Sequence, residues 1–176
     1  SRVGDELDRI GYRGTTPCPG VTPHAFLELH IEQGPVLDRE DIRIGIVESV
    51  QGISWTEVSL SGQSNHAGTT PMNLRRDPMY VAAEIAVIAR SIATELGGSQ
   101  VATVGSINLH PNLVNVVPAT ATMTVDLRNT DDRQLQKSEN ELLERAHRFA
   151  TAEGVELTSR SLARFEPVEF DQRVVD

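Results

Sequence analysis

Two histidines stand in stretches whose residue types are able to do chemistry. In Ser64-Asn65-His66-Ala67-Gly68-Thr69-Thr70-Pro71-Met72 the chain places a histidine, a glycine and a proline between a segment that alternates like a strand, Trp55 to Ser61, and a helix start at Asp77-Pro78. A side chain at such a junction is held by a rigid scaffold yet stays reachable. Position and residue type alone favour a turn histidine bonded to its own loop. Upstream, Glu28-Leu29-His30-Ile31-Glu32-Gln33-Gly34-Pro35 carries a second imidazole in an apolar run. A neutral imidazole is a ligand for zinc and its neighbours, and the amide of Gln33 donates and accepts at once. The plain readings are a buried histidine satisfied by a backbone carbonyl, and a polar residue that steadies the turn before Gly34-Pro35. Arg128 closes Val125-Asp126-Leu127-Arg128. Its guanidinium fork suits a carboxylate, and by residue type alone it reads first as a solvated strand-end charge.

Taken together, ELHIEQGP and SNHAGTTPM resemble the metal-dependent amidohydrolases that include N-carbamoyl-L-amino-acid hydrolase, β-ureidopropionase and allantoate amidohydrolase. The resemblance runs over nearly the whole chain and covers only the middle of such an enzyme. It implies that His30 is a ligand to one of two divalent metal ions (zinc, manganese, cobalt or nickel), the other ligands coming from segments outside this chain. It implies that Gln33 faces the substrate amide, and that Asn115, in Leu113-Val114-Asn115-Val116-Val117-Pro118, and Arg128 hold the substrate carboxylate. His66 then reaches across a homodimer into the partner's active site and steadies the oxygen of a tetrahedral intermediate. The implied reaction is hydrolysis of the carbamoyl group of an N-carbamoyl-L-amino acid, with allantoate or N-carbamoyl-β-alanine cleavage as alternatives within the family. A 176-residue piece lacking most metal ligands is expected to be inactive by itself, and a non-catalytic ferredoxin-like dimerisation module remains the reading of another class. Trp55 stands where allantoate-cleaving relatives carry an arginine, which tilts the substrate toward an apolar side chain; a core or dimer-edge aromatic is the competing reading.

Other residues of the right types are assigned no chemistry. His24 falls off the motif, Glu32 is structural, and Arg75, Arg76 and Asp77 form a charge cluster at a helix start. His110 and His147 are expected on the surface. Cys18 lies in Thr16-Pro17-Cys18-Pro19-Gly20 with no basic neighbour to lower its pKa, and is incidental.

Composition narrows the class. A chain of 176 residues with 39% hydrophobic content can bury a core. Lys and Arg total 16 against 25 Asp and Glu, a net charge of −9, which argues against nucleic acid because no basic stripe faces a phosphate backbone. One cysteine, no signal-peptide pattern and no long apolar run fit a cytoplasmic protein without a membrane partner. The chain starts at Ser-Arg and ends in Val-Val-Asp, as a piece cut from a longer protein does.

The elements that position these residues follow from periodicity. Arg2 to Ile10 reads as a short helix, Gly11 to Pro23 as loop, and Ala25 to Ile31 as a strand buried on both faces. Residues 1–44 are thus expected to be a partial α/β segment of a metal-binding catalytic domain. Residues 45–162 read as strand 46–60, helix 77–96, strands 101–109 and 119–127, helix 131–153 and strand 155–161. That β-α-β-β-α-β order predicts an α+β, ferredoxin-like sandwich, which the resemblance identifies with a lid and dimerisation domain. Thr130 is the expected cap of the second helix, hinges are expected near Gly45 and after Ser161, and residues 163–176 are expected to return toward the catalytic domain.

Overall fold

A computed structural model describes residues 2–17 and 19–176; Cys18, read above as incidental, lies outside them. The chain divides into two compact units, Ser1–Gly45 and Ile46–Asp176.

In the first unit the charges of Asp5-Glu6 and Arg9 complement the dipole of helix α1 (Val3–Arg9), which buries no residue. A single helical turn, α2 (Val36–Arg39), begins where the Glu32 carboxylate accepts from the backbone N–H groups of Val36 (2.7 Å) and Leu37 (3.1 Å). Glu32 is therefore structural, as expected from the sequence. The strand expected over Ala25 to Ile31 does not form: these residues are unpaired and Leu29 is 98% exposed. A doubly buried apolar run becomes a strand only between hydrogen-bonded neighbours. Among the described residues of this unit there is no strand to pair with.

The second unit opens with β1 (Ser49–Val50) and the ten-residue β2 (Gly52–Ser61), followed by β3 (Asn65–His66) and a 3₁₀ turn at Met72–Leu74. Helix α3 (Pro78–Leu96) leads to β4 (Val101–His110), β5 (Val116–Val117) and β6 (Thr120–Asn129). Helix α4 (Asp132–Glu153), β7 (Glu156–Phe165), β8 (Val168–Glu169) and α5 (Gln172–Val175) complete it. The four long strands form an antiparallel sheet in the order β4-β6-β2-β7, the ferredoxin-like arrangement predicted from the element order. Strand β2 begins later than expected, at Gly52, because Ser49 and Val50 pair instead with Glu169 and Val168. Strand β7 runs on through Ser161, where a hinge was expected, to Phe165; Leu162 is the extra residue of a bulge between the pairs Trp55–Ala163 and Thr56–Ser161.

Alternation decides which face is buried. Ala121, Met123, Val125 and Leu127 of β6 join Val58 and Leu60 of β2 in one core, with Ile85, Ile88 and Ile92 of α3 and Leu135, Leu142 and Ala146 of α4. The opposite face carries no helix packed on it from this unit. Helix α3 starts as its sequence dictates: the Asp77 carboxylate accepts from Met79 and Tyr80 N–H, and Pro78 fills the first turn. Helix α4 is capped by Asp131, whose Oδ1 accepts from Arg133 N (2.8 Å) and Gln134 N (3.1 Å), rather than by Thr130. The Thr130 hydroxyl is engaged by Ser99 Oγ at 2.7 Å, so a tertiary contact takes it away from the helix end.

Replacing Leu142 by Ala is expected to destabilise this unit by about 2–5 kcal/mol, and Asp131→Ala by about 1 kcal/mol, with Thr130→Val costing less than the latter. Urea unfolding of the three variants checks the order.

Candidate functional site

The loops at one end of the sheet bring two candidate residues together. Beyond Ser61 the chain bends at Gly62, whose N–H donates to Ala119 O at 2.8 Å. A Cβ at Gly62 would run into the Arg76 carbonyl and the Pro78 ring, so only glycine lets these segments pass. Strand β3 then pairs with β5 in the register Asn65–Val117 and His66–Val116, and Ala67 N donates to Asn115 O at 2.9 Å. The two loops, far apart in sequence, are thereby tied through their backbones, with His66 opposite Val116, Ala67 joined to Asn115, and Val117 buried beneath them.

The His66 ring is held by its own loop. Gly68 N donates to Nδ1 at 3.0 Å, and a Cβ at Gly68 would approach the His66 Cε1 to 3.3 Å. A nitrogen that accepts carries no proton, so the neutral ring bears its proton on Nε2 and presents a donor. Arg75 staples the turn, donating from Nη2 to Ala67 O (2.6 Å) and from Nε to Thr70 O (3.1 Å). The charge cluster at the helix start thus has a structural task that its position alone did not reveal. Next to His66, Asn65 Oδ1 is buried with no hydrogen-bond partner among the described residues.

Arg128 is not part of this cluster. It follows Thr120 along β6 by roughly 26 Å of strand, at the end where β6 pairs with Ile53 of β2 and Val101 of β4. It lies on the face away from the helices, out of phase with buried Leu127. Its guanidinium is engaged by Asp126 two residues earlier: Nε reaches both carboxylate oxygens at 3.1 Å and Nη2 reaches Oδ2 at 2.8 Å. That hydrogen bonding raises the arginine pKa above its ordinary value. Trp55 is opposite Asp126 in register on the same face and is 41% exposed, which excludes it from the core. Asp126 was missed from the sequence, although i, i+2 spacing on a strand puts it beside Arg128.

In the first unit His30 is exposed, with Nε2 2.7 Å from Glu28 Oε1. Gln33 takes a positive φ of 58° just before Gly34, a backbone state rare outside glycine and asparagine. Among the described residues no three His, Cys, Asp or Glu side chains converge as metal ligands. One imidazole and one carboxylate fall short of the four donors that zinc takes, so these residues do not by themselves make a metal centre. His24, His110 and His147 are exposed.

No family model matches the chain. It is 35% identical over 173 residues to an N-carbamoyl-L-amino-acid amidohydrolase of Rhizobium meliloti, an alignment covering 98% of this chain and 42% of that protein. It is 43% identical over 146 residues to an allantoate amidohydrolase of Escherichia coli, covering 78% and 35% respectively. A crystal structure of a hydantoinase/carbamoylase family amidase from Burkholderia multivorans superposes with a TM-score of 0.92 at 40% identity, over 99% of this chain and 43% of that one. The chain belongs to the hydantoinase/carbamoylase family. It spans about two fifths of the length of the carbamoylase relatives it matches. Both quoted motifs fall within the carbamoylase alignment, which takes in nearly the entire sequence.

Arg75→Ala is expected to free the turn without unfolding the sheet: amide exchange at Thr70, whose N–H donates to His66 O, accelerates about tenfold while the amides of β6 keep their protection. Exchange followed by two-dimensional NMR measures both.

Proposed function

We propose that this chain supplies the lid, the dimer contact and part of the substrate site of an amidohydrolase that cleaves the carbamoyl group of N-carbamoyl-L-amino acids. The reading is supported by the relatives' names and by one geometric observation: the paired loops present the His66 ring with Nδ1 already satisfied and Nε2–H left to donate. A donor fixed before the reaction, aimed at the oxygen that gains charge when the carbamoyl carbon is attacked, lowers the barrier by about 3 kcal/mol. Asn115 lies on the loop paired with that of His66 and is assigned, with Arg128, to the substrate carboxylate. Arg128, on the open face at the far end of β6, would grip the substrate carboxylate from elsewhere. A two-fold mate gathers the two sets, which makes the homodimer part of the proposed chemistry.

Hydrolysis releases the amino acid, carbon dioxide and ammonia. Gln33 is assigned to the substrate amide, and His30 is the residue of this chain offered to a pair of divalent metal ions whose further donors lie outside it. The protein is taken to work in the cytoplasm; no helix of the described residues is long and apolar enough to cross a membrane. Allantoate is the second reading, favoured by the 43% identity to the Escherichia coli allantoate amidohydrolase. Half-exposed Trp55 on the face of Arg128 favours an apolar amino-acid side chain over a ureido group.

In the intact protein, His66→Ala is expected to lower kcat on N-carbamoyl-L-amino acids by about 100-fold with a smaller change in KM, and Arg128→Ala to act chiefly on KM. Steady-state kinetics with N-carbamoyl-L-amino acids and with allantoate decide between the substrates; turnover of neither removes the proposal. The purified 176-residue chain is expected to turn over neither, and carbamoylase activity in that preparation would contradict the division of labour described above.

A further inference from the structure

An arginine that grips a ligand carboxylate from the face of a sheet faces a conformational problem. Its side chain has rotatable bonds that strand packing does not fix, and each one frozen on binding weakens the complex. Arg128 does not solve it by burial, since its side chain keeps 37% of its exposure. The hydrogen bonds show a different solution. Asp126 takes one edge of the guanidinium, meeting Nε with both carboxylate oxygens and Nη2 with Oδ2. The remaining edge, formed by Nη1 and the second hydrogen of Nη2, makes no hydrogen bond among the described residues. That edge is itself a two-pronged fork matched to a carboxylate.

We infer that Asp126 is a positioning residue: it clamps the side edge of Arg128 and so presents the terminal fork, already oriented, to the carboxylate of the substrate. This rests on the proposal that Arg128 binds that carboxylate. The surroundings suit it. In register across β6, Arg128 is flanked on the same face by Ile53 and Val101, and Asp126 by Trp55 and Thr103. Ile53 and Val101 flank the arginine on both adjoining strands while Val101 itself stays 48% exposed, so the fork is bordered by apolar groups yet open to an incoming carboxylate. Asp and Arg two residues apart on one strand share a face by the geometry of the pleat alone, so the device needs no loop.

The opposite reading of the same contact is competition. A carboxylate already bonded to the arginine could hold off an incoming anion, and the two readings differ in sign. Kinetics of the intact enzyme with Asp126→Asn, Asp126→Glu and Arg128→Ala separate them. If Asp126 positions, Asp126→Asn raises KM for an N-carbamoyl-L-amino acid about tenfold, the scale of one charge-assisted hydrogen bond. It leaves kcat within about twofold, since the contact is made equally in ground and transition states. The N-carbamoyl derivative of an amino-acid amide, which has no carboxylate, is handled alike by wild type and variant. Asp126→Glu, which keeps the charge and moves the carboxylate by one methylene, also raises KM; wild-type behaviour of that variant overturns positioning in favour of charge alone. A lowered or unchanged KM for Asp126→Asn, alongside a large effect of Arg128→Ala, overturns this inference and leaves the carboxylate grip intact. A silent Arg128→Ala overturns both. Thermal melting of each variant accompanies the kinetics, and loss of the fold in Asp126→Asn alone transfers the decision to Asp126→Glu.

Discussion

The pairing of β2 with β6 is the constraint on which the second unit depends. These central strands run antiparallel in unbroken register from Gly52–Asn129 to Ser61–Thr120. Because side chains alternate, that one register commits Val58, Leu60, Met123, Val125 and Leu127 to the helices and Trp55, Asp126 and Arg128 to the open face. A slip of β6 by a single residue would turn Met123, Val125 and Leu127 outward and bury the ion pair. The bulge at Leu162 and the irregularity near Gly105 fall instead on the outer strands, where they adjust the edges without disturbing the centre.

The same strands hold the candidate groups at two ends of the sheet. At one end the loops carrying His66 and Asn115 are tied to each other by backbone hydrogen bonds and stapled by Arg75, so a histidine in a short loop acquires a fixed tautomer and a fixed neighbour. At the other end Arg128 is fixed by a side chain on its own strand. Rigid strands set where each group starts; short-range hydrogen bonds set where its polar atoms go. This separation is also why one copy of the chain does not bring Arg128 and His66 together in one place.

The acidic excess is deployed locally. Several of the arginines that remain are held by carboxylates: Arg128 by Asp126, Arg164 by Asp132 and Glu139, and Arg160 by Glu57, whose own pKa is lowered by that contact. Pairs at this degree of exposure contribute little to stability. Their consequence is geometric, fixing where a guanidinium points, as Asp126 does for Arg128.

The sequence by itself determined the ferredoxin-like element order, the inward faces of α3 and β6, the cap at Asp77 and the membership signalled by the two motifs around His30 and His66. Those are local patterns, set by residue spacing and by the few residue types that fit a helix end or a tight bend. Tertiary structure decided the rest. The run Ala25 to Ile31 reads as a strand from its own residues, yet a strand exists only with a hydrogen-bonded neighbour, and its unit provides none among the described residues. Thr130 looks as able a cap as Asp131 until Ser99, distant in sequence, takes its hydroxyl. That His66 stands beside Asn115 and far along β6 from Arg128, and that Asp126 holds Arg128, follow from strand register, which joins residues that no spacing along the chain relates.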